Sequence, residues 1–402
     1  MRILQLANKM PYPPKDGGAL GIHVFTESLI QAGQTVKVLA VNTPKLFTHP
    51  HEIPKEYISK TGFEYVEVDT RVKPLDAFIS LVKGESYNIK RFDAPQLHRK
   101  IKEILQQQKF DIVQLESVYM APYIATIRKY TDAKIVLRAH NIEYTIWERL
   151  AKSEISILKK YYLQLLATQL RKYETEMINQ YDGITYITPE EGKIIEQMGC
   201  TKPTCFIPFG IPVSNYKPDS KHEEPYSVFS LGAMNWLPNL EGLKWFLNEI
   251  WPRIIKEIPE AKFYIAGRNM SSEWKEKKLP GVIMCGEVEN ASDFISNKSV
   301  MVVPLHSGGG MRVKIIEGFA MQKAIVATSV GAEGIACESG KNILIADKND
   351  DFVRNVVLLL KNNTYRKNIA ENARKLAIEQ YDIQNLTKRL IDFYTSLISS
   401  VA

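Results

Sequence analysis

The chain has few of the residues that mark several large functional classes. Its 402 residues include four cysteines, Cys200, Cys205, Cys285 and Cys337. They form no CxxC pair and have no histidine at ligand spacing, which excludes a zinc ribbon and a disulfide framework and points to reduced, structural thiols. The histidines, His23, His51 and His98 among them, show no metal-ligand spacing either. No run reaches the ~18 apolar residues that a membrane-spanning helix needs. The opening residues, MRILQLANKMPYPP, hold only a short apolar run before Asn8 and Lys9, so they read as a first strand and not as a signal peptide. There is no basic tail and no nucleic-acid motif, so nucleic acid is not an expected partner. The expected location is cytoplasmic, with the inner face of the cell membrane as a surface the protein can lie against.

What the sequence does have is an ordinary globular composition, 45% hydrophobic and 24% charged, and a net charge of +7. That charge suits an anionic ligand or an anionic membrane, and the length predicts two domains. Short, β-branched apolar runs alternate with helical patterns. Six fall in the first half (1–7, 35–41, 63–69, 111–116, 134–140, 183–188) and six in the second (226–234, 261–267, 281–286, 299–304, 324–328, 342–347). Strands this short, buried on both faces and separated by helices, predict an α/β fold of two doubly wound parallel sheets. The proline-rich, polar stretch 206–228 reads as a linker. Domains are therefore expected at 1–208 and 209–380, with a C-terminal helix, 381–402, that packs back on the N-terminal domain. Thr188, Pro189 and Glu191 spell a helix start with a capping box. Residues 146–180 read as one long helix carrying Lys152, Lys159, Lys160, Arg171 and Lys172. A basic amphipathic helix can rest on anionic lipid; a solvated polar face over an ordinary core is the favoured reading.

The stretch HSGGGMRVKIIEGFA, 306–320, carries the chemistry. Gly308, Gly309 and Gly310 leave backbone bare to an approaching ligand, and a glycine turn feeding a helix N-terminus is a ready anion site. A loop that merely turns tightly is the alternative. Arg312 and Lys314 tip the balance, because cations in a first helical turn oppose the helix dipole unless an anion sits among them. Glu317, a turn deeper, suits the paired hydroxyls of a ribose, or else pairs with Lys314 or Arg312 on a helix surface. Together these groups describe a nucleotide site. No GK[ST] follows the glycines, and their spacing is not the dinucleotide fingerprint. His306 either faces the ligand or packs beneath the loop.

With these motifs in view, the chain resembles the family-four glycosyltransferases of GT-B architecture. The resemblance is densest in VPLHSGGGMRVKIIEGFAMQKAIVATSVGAEGI (303–335). It extends to PPKDGGALGIHVFTESLIQAGQTVKVL (13–39), LRAHNIEYTIW (137–147), FSLGAMNWLPNLEGLKWFLNEIWP (229–252) and YIAGRNM (264–270). It implies two Rossmann-like domains facing across a cleft, and retaining transfer of a sugar from a nucleotide-diphosphate donor without metal or other cofactor. The donor is then expected on the C-terminal domain and a glycan or lipid-linked acceptor on the N-terminal one, framed by 73–92 and 146–180. Glu317 matches the second glutamate of the family's Glu-x7-Glu motif, whose first member falls at Gly309. The arginine and lysine usual after the first strand of the second domain are missing from GAMNWLPN, where Ala233 stands at the arginine position. Arg312 and Lys314, with Arg268, are expected to grip the diphosphate instead. His140 resembles the active-site histidine, against the alternative of a hydrogen-bonded core residue. Asn141 and Glu143 are weaker candidates for acceptor contacts, and Gly17 and Gly18 resemble the loop near the transferred sugar. A nucleotide-sugar 2-epimerase of the same fold and an inactive nucleotide-binding scaffold are the other readings.

Overall fold

A computed structural model describes residues 1–218, 223–308 and 310–399. The described residues divide into two compact units. One runs from Met1 to Pro208 and resumes at Leu386; the other runs from Phe209 to Asn385.

The first unit is built on seven parallel strands: β1 (Arg2–Ala7), β2 (Thr35–Asn42), β3 (Glu64–Glu67), β4 (Ile112–Leu115), β5 (Lys134–Arg138), β6 (Gly183–Tyr186) and β7 (Thr204–Phe206). Their order is β3-β2-β1-β4-β5-β6-β7. Every residue of β4 is buried, as continuous apolar runs require when helices cover both faces. The sheet has one strand more than the six runs suggest. The added β7 is a three-residue edge strand, too short for periodicity to show. The second unit has six parallel strands: β8 (Ser227–Leu231), β9 (Lys262–Ala266), β10 (Val282–Gly286), β11 (Val300–Val303), β12 (Ala324–Ala327) and β13 (Leu344–Ile345), in the order β10-β9-β8-β11-β12-β13. In each sheet the order reverses once, between β1 and β4 and between β8 and β11. The crevice outside the carboxyl ends of such strands is where doubly wound folds hold ligands.

The expected long helix over 146–180 is two helices, Glu143–Ser153 and Ile157–Met177. The break at 154–156 carries no glycine or proline to announce it. The Glu154 carboxylate accepts from the Ile155 and Ser156 N–H groups there, an alternative to helical bonding. The capping box at Thr188 and Glu191 forms with both reciprocal bonds. The four cysteines are free thiols. No helix among the described residues is long and apolar enough to cross a membrane.

The last helix begins at Ile383, two residues later than the pattern suggests. Its stripe of Leu386, Leu390, Tyr394 and Leu397 is buried. The Tyr394 hydroxyl donates to Gln114 Oε1 of β4, and the Ser28 and Thr387 hydroxyls bond at 2.6 Å. Leu397 and Phe393 lie so close over Gly183 that a Cβ there would meet them at 2.7 and 2.8 Å.

The second unit makes a tighter approach where β9 ends. A Cβ on Gly267 would sit 1.8 Å from the Gly232 carbonyl oxygen, and the Gly267 N–H is committed to Gly286 at 2.7 Å. Backbone meets backbone here and neither side can yield cheaply. Gly267→Ala is expected to cost about 2 kcal/mol by overpacking, read as a lower urea midpoint with an unchanged slope.

Candidate active site

The glycine loop leaves β11 and ends at the helix Val313–Ala320. Gly308 has φ +99° and Gly310 φ +85°, so the chain turns through conformations that side chains resist. Gly308 is also held for space, since a Cβ would meet Trp236 at 2.8 Å and Pro238 at 3.2 Å. Gly309 lies outside the described residues. No side chain caps the helix that follows; its Val313 and Ile315 N–H groups donate to the Met311 and Arg312 carbonyls, and the positive end of its dipole lies beside the loop.

Arg312 sits at the cap position, just before the first turn, and is 4% exposed. Its Nη1 donates to the Gly310 carbonyl at 2.6 Å, and its guanidinium lies 5.4 Å over the Trp236 ring. Burial pulls its pKa down, and Glu333 opposes the shift. Lys314 Nζ donates to Asn239 Oδ1 at 2.9 Å, while Asn239 Nδ2 donates to the Ala233 carbonyl at 2.8 Å. The ammonium also lies within 2.7 Å of where a Gly232 Cβ would stand. Lys314 thus lies against the loop after β8, the loop that lacks the expected arginine and lysine. Burial, reinforced by Arg312, lowers its pKa to about 8. Glu317 accepts from the Tyr216 hydroxyl at 3.1 Å and has no ion pair with Lys314 or Arg312 within salt-bridge distance among the described residues. Burial raises its carboxyl, with the Tyr216 hydroxyl and Lys314 opposing.

Two nearby residues stand further off. Arg268 is on the turn after β9 with its side chain exposed; only its carbonyl joins the site's framework, accepting from Met234 N at 2.8 Å. His306 is exposed and packs edge-on against Trp245, with ring centroids 4.5 Å apart.

In the first unit, polar side chains gather at the switch between β1 and β4. Glu116, just past β4, is fully buried. Its Oε2 accepts from Arg138 Nη1 at 3.0 Å and from His140 Nε2 at 2.7 Å. Its Oε1 accepts from Gln114 Nε2 and, at 3.4 Å, from Gln5 Nε2; Thr26 in turn donates to Gln5 Oε1 at 2.7 Å. Burial alone would raise the Glu116 carboxyl; Arg138 and His140 outweigh it, so it stays ionised. Burial and Arg138 lower the His140 pKa against the pull of Glu116, which leaves a neutral ring. A carboxylate only accepts, so Nε2 carries the proton. Nδ1 then offers a lone pair that no group among the described residues takes. His140 is thus hydrogen-bonded and still 17% exposed.

Gly17 and Gly18 open the helix Gly17–Gln31, capped by Asp16, whose Oδ1 accepts from Ala19 N at 2.8 Å. Lys9 pairs with Asp16 at 2.8 Å, and a Cβ on Gly18 would meet Lys9 Nζ at 3.1 Å. Asn141 is exposed. Glu143 accepts from the Tyr119 hydroxyl at 3.0 Å, and burial raises its pKa. Among the described residues, no three His, Cys, Asp or Glu side chains form a group that could hold a metal ion.

Two family profiles meet this geometry. The Glycosyltransferase Family 4 profile matches residues 16–215, and the profile for glycosyl transferases group 1 matches 225–362, spanning the glycine loop and Glu317. The chain belongs to the group 1 glycosyltransferases. It is 27% identical over 397 residues to an uncharacterised 44.6 kDa protein in the cps region of Klebsiella pneumoniae, covering 95% of this chain and 96% of that one. Among solved structures it is similar to Anabaena HepE in complex with UDP (TM-score 0.64, 12% identity, 98% of this chain and all of that one). It is equally similar to the sucrose-phosphate synthase of Thermosynechococcus elongatus (TM-score 0.64, 13% identity, full coverage of both). At such identities the likeness is one of fold, and the fold is GT-B.

The group 1 sequence pattern did not reveal Glu116, Arg138, Asn239, Tyr216 or Trp236. A signal existed for the first two: each is a charge at the carboxyl end of a short strand run, in DIVQLE and KIVLR. Asn239 and Tyr216 reach their partners across 75 and 101 residues, which no local pattern displays.

Removing Glu116 would strand the buried Arg138 charge. Glu116→Gln is expected to destabilise the fold by on the order of 3 kcal/mol, measurable by urea unfolding. The lowered Lys314 pKa makes a second, signed expectation. Its folded value of about 8 lies below the ordinary lysine value of 10.5, so holding the proton costs stability in full below about pH 8. That cost is relieved as pH rises from 8 towards 10.5. Without ligand, Lys314→Met should therefore unfold several degrees higher than wild type at neutral pH, with the gap closing near pH 10 in thermal melts.

Proposed function

We propose that this glycosyltransferase transfers a sugar, with retention, from a nucleoside-diphosphate sugar to a glycan or lipid-linked acceptor in bacterial surface-polysaccharide synthesis. The observation that carries the donor reading is the helix start at Val313, which no side chain caps, with Arg312 and Lys314 beside the glycine loop and, among the described residues, no carboxylate within salt-bridge distance of Lys314. A diphosphate supplies the missing negative charge, and Glu317, one turn deeper, accepts from ribose hydroxyls. The UDP carried by the HepE structure and the cps region that houses the Klebsiella relative support this reading. It assigns the protein to the cytoplasm, at the inner membrane face where a lipid-linked acceptor is met.

In this mechanism the C1–O bond to the β-phosphate breaks and a new C1–O bond forms to the acceptor oxygen on the same face of the sugar. The acceptor's proton passes to the departing phosphate oxygen, so no protein nucleophile takes part. Arg312, Lys314 and the loop N–H groups face the charge that grows on the leaving diphosphate, where preorganised donors act most strongly. His140 offers Nδ1 to a sugar hydroxyl, with Glu116 holding the ring. Gly17 and Gly18 let backbone approach the sugar, and Arg268 reaches the diphosphate by swinging its exposed side chain. No metal is invoked.

A thermal-shift screen of nucleoside diphosphates and their sugars should return a stabilising ligand. Arg312→Ala should weaken its affinity at least tenfold, and nucleoside diphosphate should be released in step with glycosylated acceptor. Unchanged affinity in that variant would remove Arg312 from the donor site. Sugar epimerisation without an acceptor would favour the 2-epimerase, and tight binding without turnover of any donor would favour an inactive scaffold.

A further inference from the structure

Two helical segments of the first unit wear their apolar faces outward. In Pro74–Lys83, the residues Leu75, Phe78, Ile79 and Val82 follow the i, i+3, i+4, i+7 spacing of a core-facing stripe, yet all four are exposed, Phe78 at 62%. The residue buried by this helix is Ser80. The start of Ile157–Met177 repeats the pattern with Leu158, Tyr161, Tyr162 and Leu165, and Leu158 is 85% exposed. Ile155, in the break just before it, is 94% exposed. Among the described residues, the large apolar side chains more than 60% exposed lie in or just before these two segments, Val72 and Ile155 included, with Leu237 of the second unit as the exception. The segments are neighbours, because Gln169 Nε2 donates to the Leu81 carbonyl at 3.4 Å. Isolated exposed apolar residues need no explanation, but two helices of one unit that each turn a whole apolar stripe outward mark an interaction surface.

Charge selects the occupant. Residues 148–165 carry four cations against two carboxylates, and residues 69–83 carry three against two. Lys152 and Lys160 have no carboxylate partner among the described residues. A second copy docking symmetrically would set this positive patch against itself. An anionic bilayer answers both features: apolar side chains enter the acyl boundary, tyrosines suit the interface, and lysines meet lipid phosphates.

We propose that the surface formed by Pro74–Lys83 and the first two turns of Ile157–Met177 docks the protein on an anionic membrane, lying in the interface without spanning it. The favoured reading of 146–180 as a solvated polar face over an ordinary core fits the later turns, where Leu166, Ala167 and Leu170 are buried beneath exposed Arg171 and Lys172; in the first turns exposed apolar side chains stand beside the exposed lysines. The donor cradle belongs to the other unit, so this surface can be tested without any nucleotide sugar.

The experiment is flotation of the full-length protein with phosphatidylcholine vesicles, with and without phosphatidylglycerol. Three proteins are compared: wild type, Phe78→Glu with Leu158→Glu, and Lys159→Glu with Lys160→Glu. Wild type should float with the anionic vesicles, less so at high salt. Both variants should lose at least tenfold of the vesicle-bound fraction while keeping the wild-type melting temperature, because every substituted side chain is exposed. The proposal is overturned if wild type ignores the anionic vesicles or if the apolar variant binds them as well as wild type. A concentration-dependent dimer abolished by Phe78→Glu with Leu158→Glu would also overturn it, making a second copy the occupant.

Discussion

Burying a positive charge without a matching negative one is the constraint around which the second unit's site is organised. Lys314 is drawn out of water with only the Asn239 amide oxygen to bond, and Arg312 beside it spends a donor on the Gly310 carbonyl. Both lie where a helix dipole is already positive. Burial and the neighbouring Arg312 lower the Lys314 pKa, against the opposing pull of Glu317. Gly308 lets Trp236 and Pro238 pack where a Cβ would collide with them, and Gly310 leaves open space where a Cβ would stand.

The first unit meets the opposite problem with the opposite solution. Its buried charge is a carboxylate, and Glu116 is answered on both oxygens by Arg138, His140 and two glutamines. Such a network is worth its cost only if every member is bonded. It is closed at one end by Thr26 through Gln5 and at the other by Tyr394 through Gln114. The single lone pair left over, on His140 Nδ1, lies at the network's edge where the ring is partly exposed. The network thus presents one open acceptor at its exposed edge, while the Arg138 Nε stays buried without a partner.

How much of this could be read from the sequence depended on range. Strands buried on both faces write themselves as continuous β-branched runs, so twelve of the thirteen were visible, and the three-residue β7 was not. The Thr188 capping box was legible because its partners are three residues apart. Glu317 and Lys314 were found by their place after the glycines, yet their partners Tyr216 and Asn239 were not, since they come from loops far away in the chain. The helix break at 154–156 uses a glutamate side chain in place of glycine or proline. The stripe in Pro74–Lys83 has a period that tells which residues share a face, and says nothing about whether that face turns inward or outward.

The chain passes from the first unit to the second and then returns. Residues from Leu386 onward complete a core whose strands are made some two hundred residues earlier. During synthesis, Gln114 on β4 and the bare backbone of Gly183 wait uncovered while the whole second unit emerges, because Tyr394, Phe393 and Leu397 follow it in the chain. The second unit therefore has every residue it needs before the first does. The earlier half of the polypeptide is the later half to finish folding, and a break between Asn385 and Leu386 would take its cover from the first unit while leaving the second whole.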